Sequence, residues 1–293
     1  MHGPRLLIER FVFVPKPNIQ RKQRLRLKDV GHSAPAGAPA FDHTLWDELL
    51  KEHVTPGVRL PCGVITSTVN YAGIAADSRF DEYCKRLSDA RFDALPPVEQ
   101  LALLINAYNA FCIGLIVAHH RLSSDGGGNG TAAPLASITA LKQGGVAVWD
   151  QPAGTIGRVQ VTLGELEHTW LRGHWDEPAI HFAIVCASAS CPDLRAEAYS
   201  AEPSRLRAQL AEQAAAFFSN DTKGMRVKGN RLSVSRLLWW YAADFGGAEA
   251  ALRWMADALP DSMGDVAANI RRRGFFSPTP HYFDYDWSIN RTP

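Results

Sequence analysis

Leu101-Ala-Leu-Leu-Ile-Asn-Ala-Tyr-Asn-Ala-Phe-Cys-Ile-Gly-Leu-Ile-Val-Ala-His-His120 is apolar almost all the way round a helical wheel. A helix of that kind is buried on every side, so other elements have to surround it. Its longest strongly apolar run, Ala110 to Ala118, is far too short to cross a bilayer. Asn106 and Asn109 interrupt it at i and i+3 on one face, flanking Tyr108. A buried amide without partners costs about 2–7 kcal/mol, so something must satisfy both side chains. Either they fix neighbouring loops through hydrogen bonds, or they orient a catalytic group or bind a polar substrate.

Working outward, helical periodicity covers Phe41 to Val54, Phe80 to Leu87 and Pro97 to His120. Beyond the apolar helix it returns at Gly164 to Arg172, at Pro192 to Phe218 around a break at Ala201-Glu202-Pro203, and at Ser235 to Phe245 and Glu249 to Leu259. Short β-branched stretches at Val64 to Tyr71, Gly145 to Trp149, Val159 to Leu163 and Ile180 to Cys186 read as strands. Arg226 to Val234 reads as a hairpin turning at Gly229-Asn230, and His281 to Trp287 as an extended aromatic segment. Helices dominate and the strands alternate with them irregularly. The expected fold is α+β, a single helix-rich domain around a small, mainly antiparallel sheet. Residues 1–40 read as a flexible basic arm and linker, with Lys16, Arg21, Lys22, Arg24, Arg26 and Lys28 crowded together. Residues 41–293 then form one globular domain with a low-complexity loop at 123–134.

The chain has 293 residues, 46% of them hydrophobic, and a net charge of +1, which offers no global attraction to nucleic acid or to a membrane. Five cysteines are too few for a disulfide scaffold and leave at least one thiol free. A reducing, cytoplasmic setting for a soluble protein is the simpler expectation.

Two further stretches carry chemistry. In Ile180-His-Phe-Ala-Ile-Val-Cys-Ala-Ser-Ala-Ser-Cys-Pro-Asp193 an apolar strand runs through a small-residue turn to a thiol at an expected helix start. Ser190 and Asp193 have capping-box spacing, which would place Cys191 among free N–H groups that favour a thiolate. In a regular strand His181 and Cys186 face opposite ways, so Cys191 is the thiol free to meet a histidine. In Leu163-Gly-Glu-Leu-Glu-His-Thr-Trp-Leu-Arg172, Thr162 and Glu165 form a capping box, and Glu165, His168 and Arg172 share a stripe. No Gly-rich phosphate loop, HExxH or GxSxG pattern occurs, which lowers nucleotide-dependent, zincin and serine-hydrolase readings.

The motifs Ile105-Asn-Ala-Tyr-Asn-Ala110, Leu163-Gly-Glu-Leu-Glu-His168 with Leu171-Arg172, and His181-Phe-Ala-Ile-Val-Cys186 through Cys191-Pro192 occur in that order. With Trp240-Tyr241, Asp244-Phe245 and Tyr285-Asp-Trp-Ser-Ile-Asn290, they resemble the family called domain of unknown function 547, over roughly Phe41 to Asn290. Its relatives are sometimes fused to glutaredoxin-like, DEP or leucine-zipper segments. The resemblance implies a constellation of residues without naming a reaction: Asn106, Asn109, Glu167, His168, Arg172, His181, Cys186, Cys191, Asp286 and Asn290. The leading expectation is a thiol-dependent hydrolase or acyl transferase acting on a small molecule or peptide, without a cofactor. Cys191 is its nucleophile, His168 or His181 its base, and Glu167 or Asp286 the group that orients the base. Asn106, Asn109 and Arg172 are expected to bind substrate. The alternatives are a non-catalytic interaction module with a protein partner, and a metal-dependent enzyme using Cys186, Cys191, His168 and His181. For the last, the C-x4-C spacing is loose for zinc.

Overall fold

The computed structural model of the chain describes residues 24–30, 40–125, 135–229, 231–273 and 280–292. The body starts with helix α1 (Thr44–His53), whose Trp46, Leu49 and Leu50 are buried, followed by the antiparallel hairpin β1 (Val54–Arg59) and β2 (Ile65–Val69). Helix α2 (Tyr71–Ala76) is capped by Asn70 and α3 (Ser78–Ser88) by Asp77. Helix α4 (Pro97–Asp125) comes next, then the hairpin β3 (Pro152–Ile156) and β4 (Val159–Thr162). The strand β4 runs directly into α5 (163–174), whose first turn is held by the expected capping box of Thr162 and Glu165. Short α6 (Ile180–Ala183) and long α7 (Pro203–Ser219) follow, then the hairpin β5 (Met225–Lys228) and β6 (Arg231–Val234). The chain closes with α8 (Leu237–Trp240), α9 (Ala242–Phe245), α10 (Ala248–Ala258), α11 (Gly264–Arg273) and β7 (His281–Tyr282), which pairs parallel to β6.

The fold is α+β, 54% helical with 16% strand. The strands form separate small sheets of two, two and three strands instead of one sheet. Every hairpin is antiparallel, and among the described residues no strand reaches the length that would let a sheet dominate.

Helix α4 is the axis of the molecule. Leu101, Ile105, Ala107, Ala110 and Cys112 are fully buried, and α2, α3, α5 and β3 pack around it. Counted as a whole, its segment Pro97–Ser123 is long and apolar enough to cross a membrane, contrary to the reading from the unbroken run alone. The protein itself buries 83% of its most apolar window. Strand β3 lies so close to α4 that a Cβ at Gly154 would come 2.3 Å from the Phe111 ring, so only glycine allows this contact. A second apolar cluster gathers Phe182, Phe217, Phe218, Phe245 and Met255 beneath α7 and α10.

Several expectations are corrected. Residues 180–186 are not a strand: Ile180–Ala183 is one helical turn and the chain then extends through Val185. Tertiary burial on both sides satisfies the apolar run, so its β-branched character does not determine its conformation. The helix expected from Pro192 begins only at Pro203, where Glu202 caps it, and 191–202 is irregular. Residues 145–149 form a bridge and a turn, and no strand. Part of the basic arm is ordered. Leu25 bridges to Trp175, Leu27 is buried, and Arg26 pairs with Asp176. The remainder of the arm, and residues 126–134 of the low-complexity loop, lie outside the described residues.

Candidate functional site

A cavity of about 140 Å³ opens between the two apolar clusters. Tyr108 of α4, Glu167 and His168 of α5, His181 of α6, and Cys186 and Cys191 of the following loop all line it. Trp149, Trp240, Tyr285 and Trp287 complete its wall. A wider groove of about 500 Å³ lies elsewhere, lined by Leu27, Leu210, Trp254 and Leu259 among others, and it contains no cysteine or histidine.

The middle of α5, Leu166–Leu171, widens into a π-turn, a feature that recurs at functional sites. The extra width turns both Glu167 and Arg172 into the interior, where each is less than a tenth exposed, so this is not a solvated salt-bridge face. Arg172 Nε donates to Asp244 Oδ2 at 2.7 Å, and the same oxygen lies 2.7 Å from His181 Nε2. A carboxylate only accepts, so His181 Nε2 carries a proton, and Nδ1 is buried with no hydrogen-bond partner among the described residues. The His181 ring stacks on Tyr241 at 3.9 Å, with the Arg172 guanidinium 5.1 Å from the Tyr241 ring centroid. Burial opposes ionisation of Asp244, but His181 and Arg172 outweigh it and hold its carboxyl far below the usual range.

Arg172 Nη1 lies 2.7 Å from His168 Nδ1. Guanidinium can only donate, so Nδ1 accepts and the proton of neutral His168 sits on Nε2. Burial and Arg172 both lower the His168 pKa, against the opposing charge of Glu167. His168 is therefore built as a neutral hydrogen-bond donor, and the expectation that it serves as a base is corrected. Its only lone pair is engaged by Arg172.

The thiols also exchange places. Cys191 is at no helix start. Ser190 Oγ accepts from the Asp286 N–H, and Asp193 Oδ1 accepts from Thr66, the Ser67 N–H and the buried Lys223. Burial, with Cys186 beside it, pushes the Cys191 thiol well above its usual range. Cys186 is half-buried, and its Sγ lies 3.0 Å from Ser188 Oγ and 3.2 Å from Tyr285 OH. Burial would raise its pKa, but hydrogen bonds from Cys191, Ser188 and Tyr285 outweigh that and draw it below the usual cysteine value. Burial keeps the Tyr285 phenol protonated, so it remains a donor. Cys186, not Cys191, is the thiol poised to ionise.

The loop that presents Cys186 is fixed from two sides. Ala187 adopts a left-handed φ of 58°, which costs a side-chain-bearing residue about 1–2 kcal/mol and brings Ser188 back against Cys186. The C-terminal tail straps this turn: Ala189 N donates to Ser288 O, Ser190 N to Asp286 O, and Asn290 N to Ala187 O. From the other side, Asn109 accepts from the Val185 N–H at 2.9 Å and donates to the Ala183 carbonyl at 3.0 Å. Asn106 pairs in the same way with the backbone of Tyr199. Both amides bond to backbone and neither lines the cavity, so their expected substrate-binding role is corrected.

Asp286 reaches neither histidine by a hydrogen bond. Its carboxylate accepts from the Ser288 N–H at 2.8 Å, so it shapes the strap. Asp244 holds the place expected of Asp286, beside His181. A lone acid within Trp240-Tyr-Ala-Ala-Asp-Phe245 was the signal in the sequence, and nothing local revealed its partner. The Cys/His cluster does not bring three ligand atoms to metal spacing. Among the described residues such a trio occurs at Glu52, His53 and Asp77, where the Arg79 guanidinium already engages both acids.

Residues 92–218 match the model of a family described as protein of unknown function, DUF547. Over that span the chain is similar to the DUF547 family. The matched span includes α4, α5, α6 and the Cys186–Cys191 loop, whereas Asp244, Tyr285 and Trp287 lie C-terminal to it. The matched segment therefore supplies the cavity's thiols and histidines, and the remainder supplies Asp244 and much of the aromatic wall. Comparison with curated proteins finds no match, and comparison with solved structures finds none either.

Proposed function

We propose that the protein is a thiol-dependent hydrolase or acyl transferase in which Cys186 is the nucleophile. The observation that carries this reading is the trio of donors around Cys186, set in a cavity that His168 and His181 also line. The Cys186 thiolate attacks a carbonyl carbon, forming the C–S bond and placing the electron pair on oxygen. His168, with its proton on Nε2, donates a hydrogen bond to the developing charge in a site sheltered from bulk water. Collapse of the adduct breaks the bond to the leaving group, which takes its proton from solvent, and leaves a thioester. His181, oriented by Asp244, has the free Nδ1 lone pair to take a proton from the water or acceptor that releases the acyl group. Cys191 supports the thiolate as a donor. Small-molecule and peptide acyl donors both suit the cavity's size.

A panel of activated aryl esters and thioesters tests the reading by intact mass and peptide mapping. An acyl adduct on Cys186 that turns over, is absent from Cys186→Ala and persists in Cys191→Ala supports it. Adducts confined to other thiols, or none, would leave the interaction-module reading. The use of Asn106 and Asn109 as structural staples favours that alternative.

A further inference from the structure

The described residues lining the thiol cavity include two carboxylates, Asp150 and Glu167, and no lysine or arginine. The nearest fixed cation, Arg172, is already bound to Asp244 at 2.7 Å. Glu167 is less than a tenth exposed, and its Oε1 is buried without a hydrogen-bond partner. His168 Nδ1 lies 3.8 Å from it, but accepts from Arg172 and so has no proton to give. Tyr108 OH donates to the other oxygen, Oε2, at 3.4 Å and Tyr241 approaches the same carboxylate, so Oε1 is the acceptor left without a donor among the described residues.

Much of the remaining wall is aromatic, beside Ile184, Val185, Pro192 and Leu237. Trp240 stacks on Trp287 at 6.2 Å, Trp149 lies 6.4 Å from Trp287, and Tyr285 lies 4.6 Å from Trp287. All of these rings line the cavity. Ring faces attract cations, and the attraction strengthens once water is excluded. Anionic groups meet the opposite field, from two carboxylates and the rings' negative faces together.

We propose that the group recognised in this cavity is an organic cation, an alkylammonium or guanidinium, held between the aromatic wall and the Glu167 carboxylate with Asp150 at the exposed side. This assigns a substrate class to the site and rests on the reading of the cavity as the place of thiol chemistry. Its volume of about 140 Å³ suits one such head group.

Tryptophan fluorescence titration of the full chain tests the proposal with three ligands of one shape. They are choline, its neutral carbon isostere neohexyl alcohol, and the anion of tert-butylacetic acid. Choline should bind at least about tenfold more tightly than the alcohol, with the anion weakest. Glu167→Gln should remove most of that preference. Asp150→Asn, at an exposed position that does not threaten folding, should reduce it less. Equal or reversed affinities, no binding of any of the three, or a preference intact in both variants would overturn the proposal. Titrating Cys186→Ala separates the two readings. Cation selectivity retained there, with no acyl adduct in the unmodified protein, would sink the thiol chemistry and leave the cation site standing. Adducts that form without cation selectivity would do the reverse.

Discussion

His181 Nε2 lies 2.7 Å from Asp244 Oδ2, joining two residues 63 positions apart, and Arg172 donates to the same oxygen. The carboxylate thereby fixes the tautomer of one histidine directly. Through Arg172 it fixes that of His168 as well.

Asp244→Asn should therefore be costly, because it leaves the buried Arg172 cation without its counter-charge, at about 3–5 kcal/mol. The folded pKa of Asp244 lies below its unfolded value near 3.9, so its contribution is complete above about pH 4. It fades as pH falls toward the folded value. Urea unfolding of both proteins should show a constant gap from neutrality to about pH 4 that narrows only below it. A gap that narrows between pH 7 and 5 would mean Asp244 is not the ionised centre of the network.

Cys186 should be the first of the five thiols to react with limiting iodoacetamide near neutral pH. Burial pushes Cys84 up to about 12 and holds Cys112 and Cys191 well above the usual range. Cys62 is exposed, but its pKa is raised, so its labelling should catch up only in alkali. Peptide mass spectrometry across a pH series ranks them, and early labelling of Cys191 would reverse the assignment.

Tyr285→Phe removes one donor from the Cys186 thiolate. A hydrogen bond to a charged group contributes about 1.5–3 kcal/mol, and about 1.4 kcal/mol corresponds to one pKa unit. The midpoint of Cys186 alkylation should rise by about one to two units. An unchanged midpoint would mean that Ser188 and Cys191 carry the thiolate alone.

Asn106→Leu and Asn109→Leu should each lower stability, by about 1–3 kcal/mol per stranded backbone partner. Their effects on the site should differ. Asn109 holds Ala183 and Val185 next to Cys186, so its loss should also slow Cys186 labelling, whereas Asn106 holds Tyr199, remote from the thiol in sequence. Thermal melts and alkylation rates of both variants check this, and equal labelling rates would refute the positioning role of Asn109.

Patterns closed within a few residues were legible in the sequence. The all-round apolarity of 101–120 made a buried axial helix, Thr162 and Glu165 made a capping box, and the two asparagines marked a satisfied polar face. The hairpin around Gly229 was equally plain, because turn chemistry and strand alternation are local. The apolar run at 180–186 misled, because a segment buried on every side shows no period that separates strand from helix. The choice of nucleophile could not be read from spacing. It depends on Tyr285, which lies 99 positions from Cys186, and on a strained turn at Ala187 strapped down by the C-terminal tail. Asp244 likewise gained its role from two buried hydrogen bonds that span 63 and 72 positions. Helix propensity and caps are short-range energies and are written in neighbouring residues. The ionisation of a thiol or the tautomer of a histidine is set by whichever dipoles and charges folding brings within about 3 Å, and only the tertiary structure decides those.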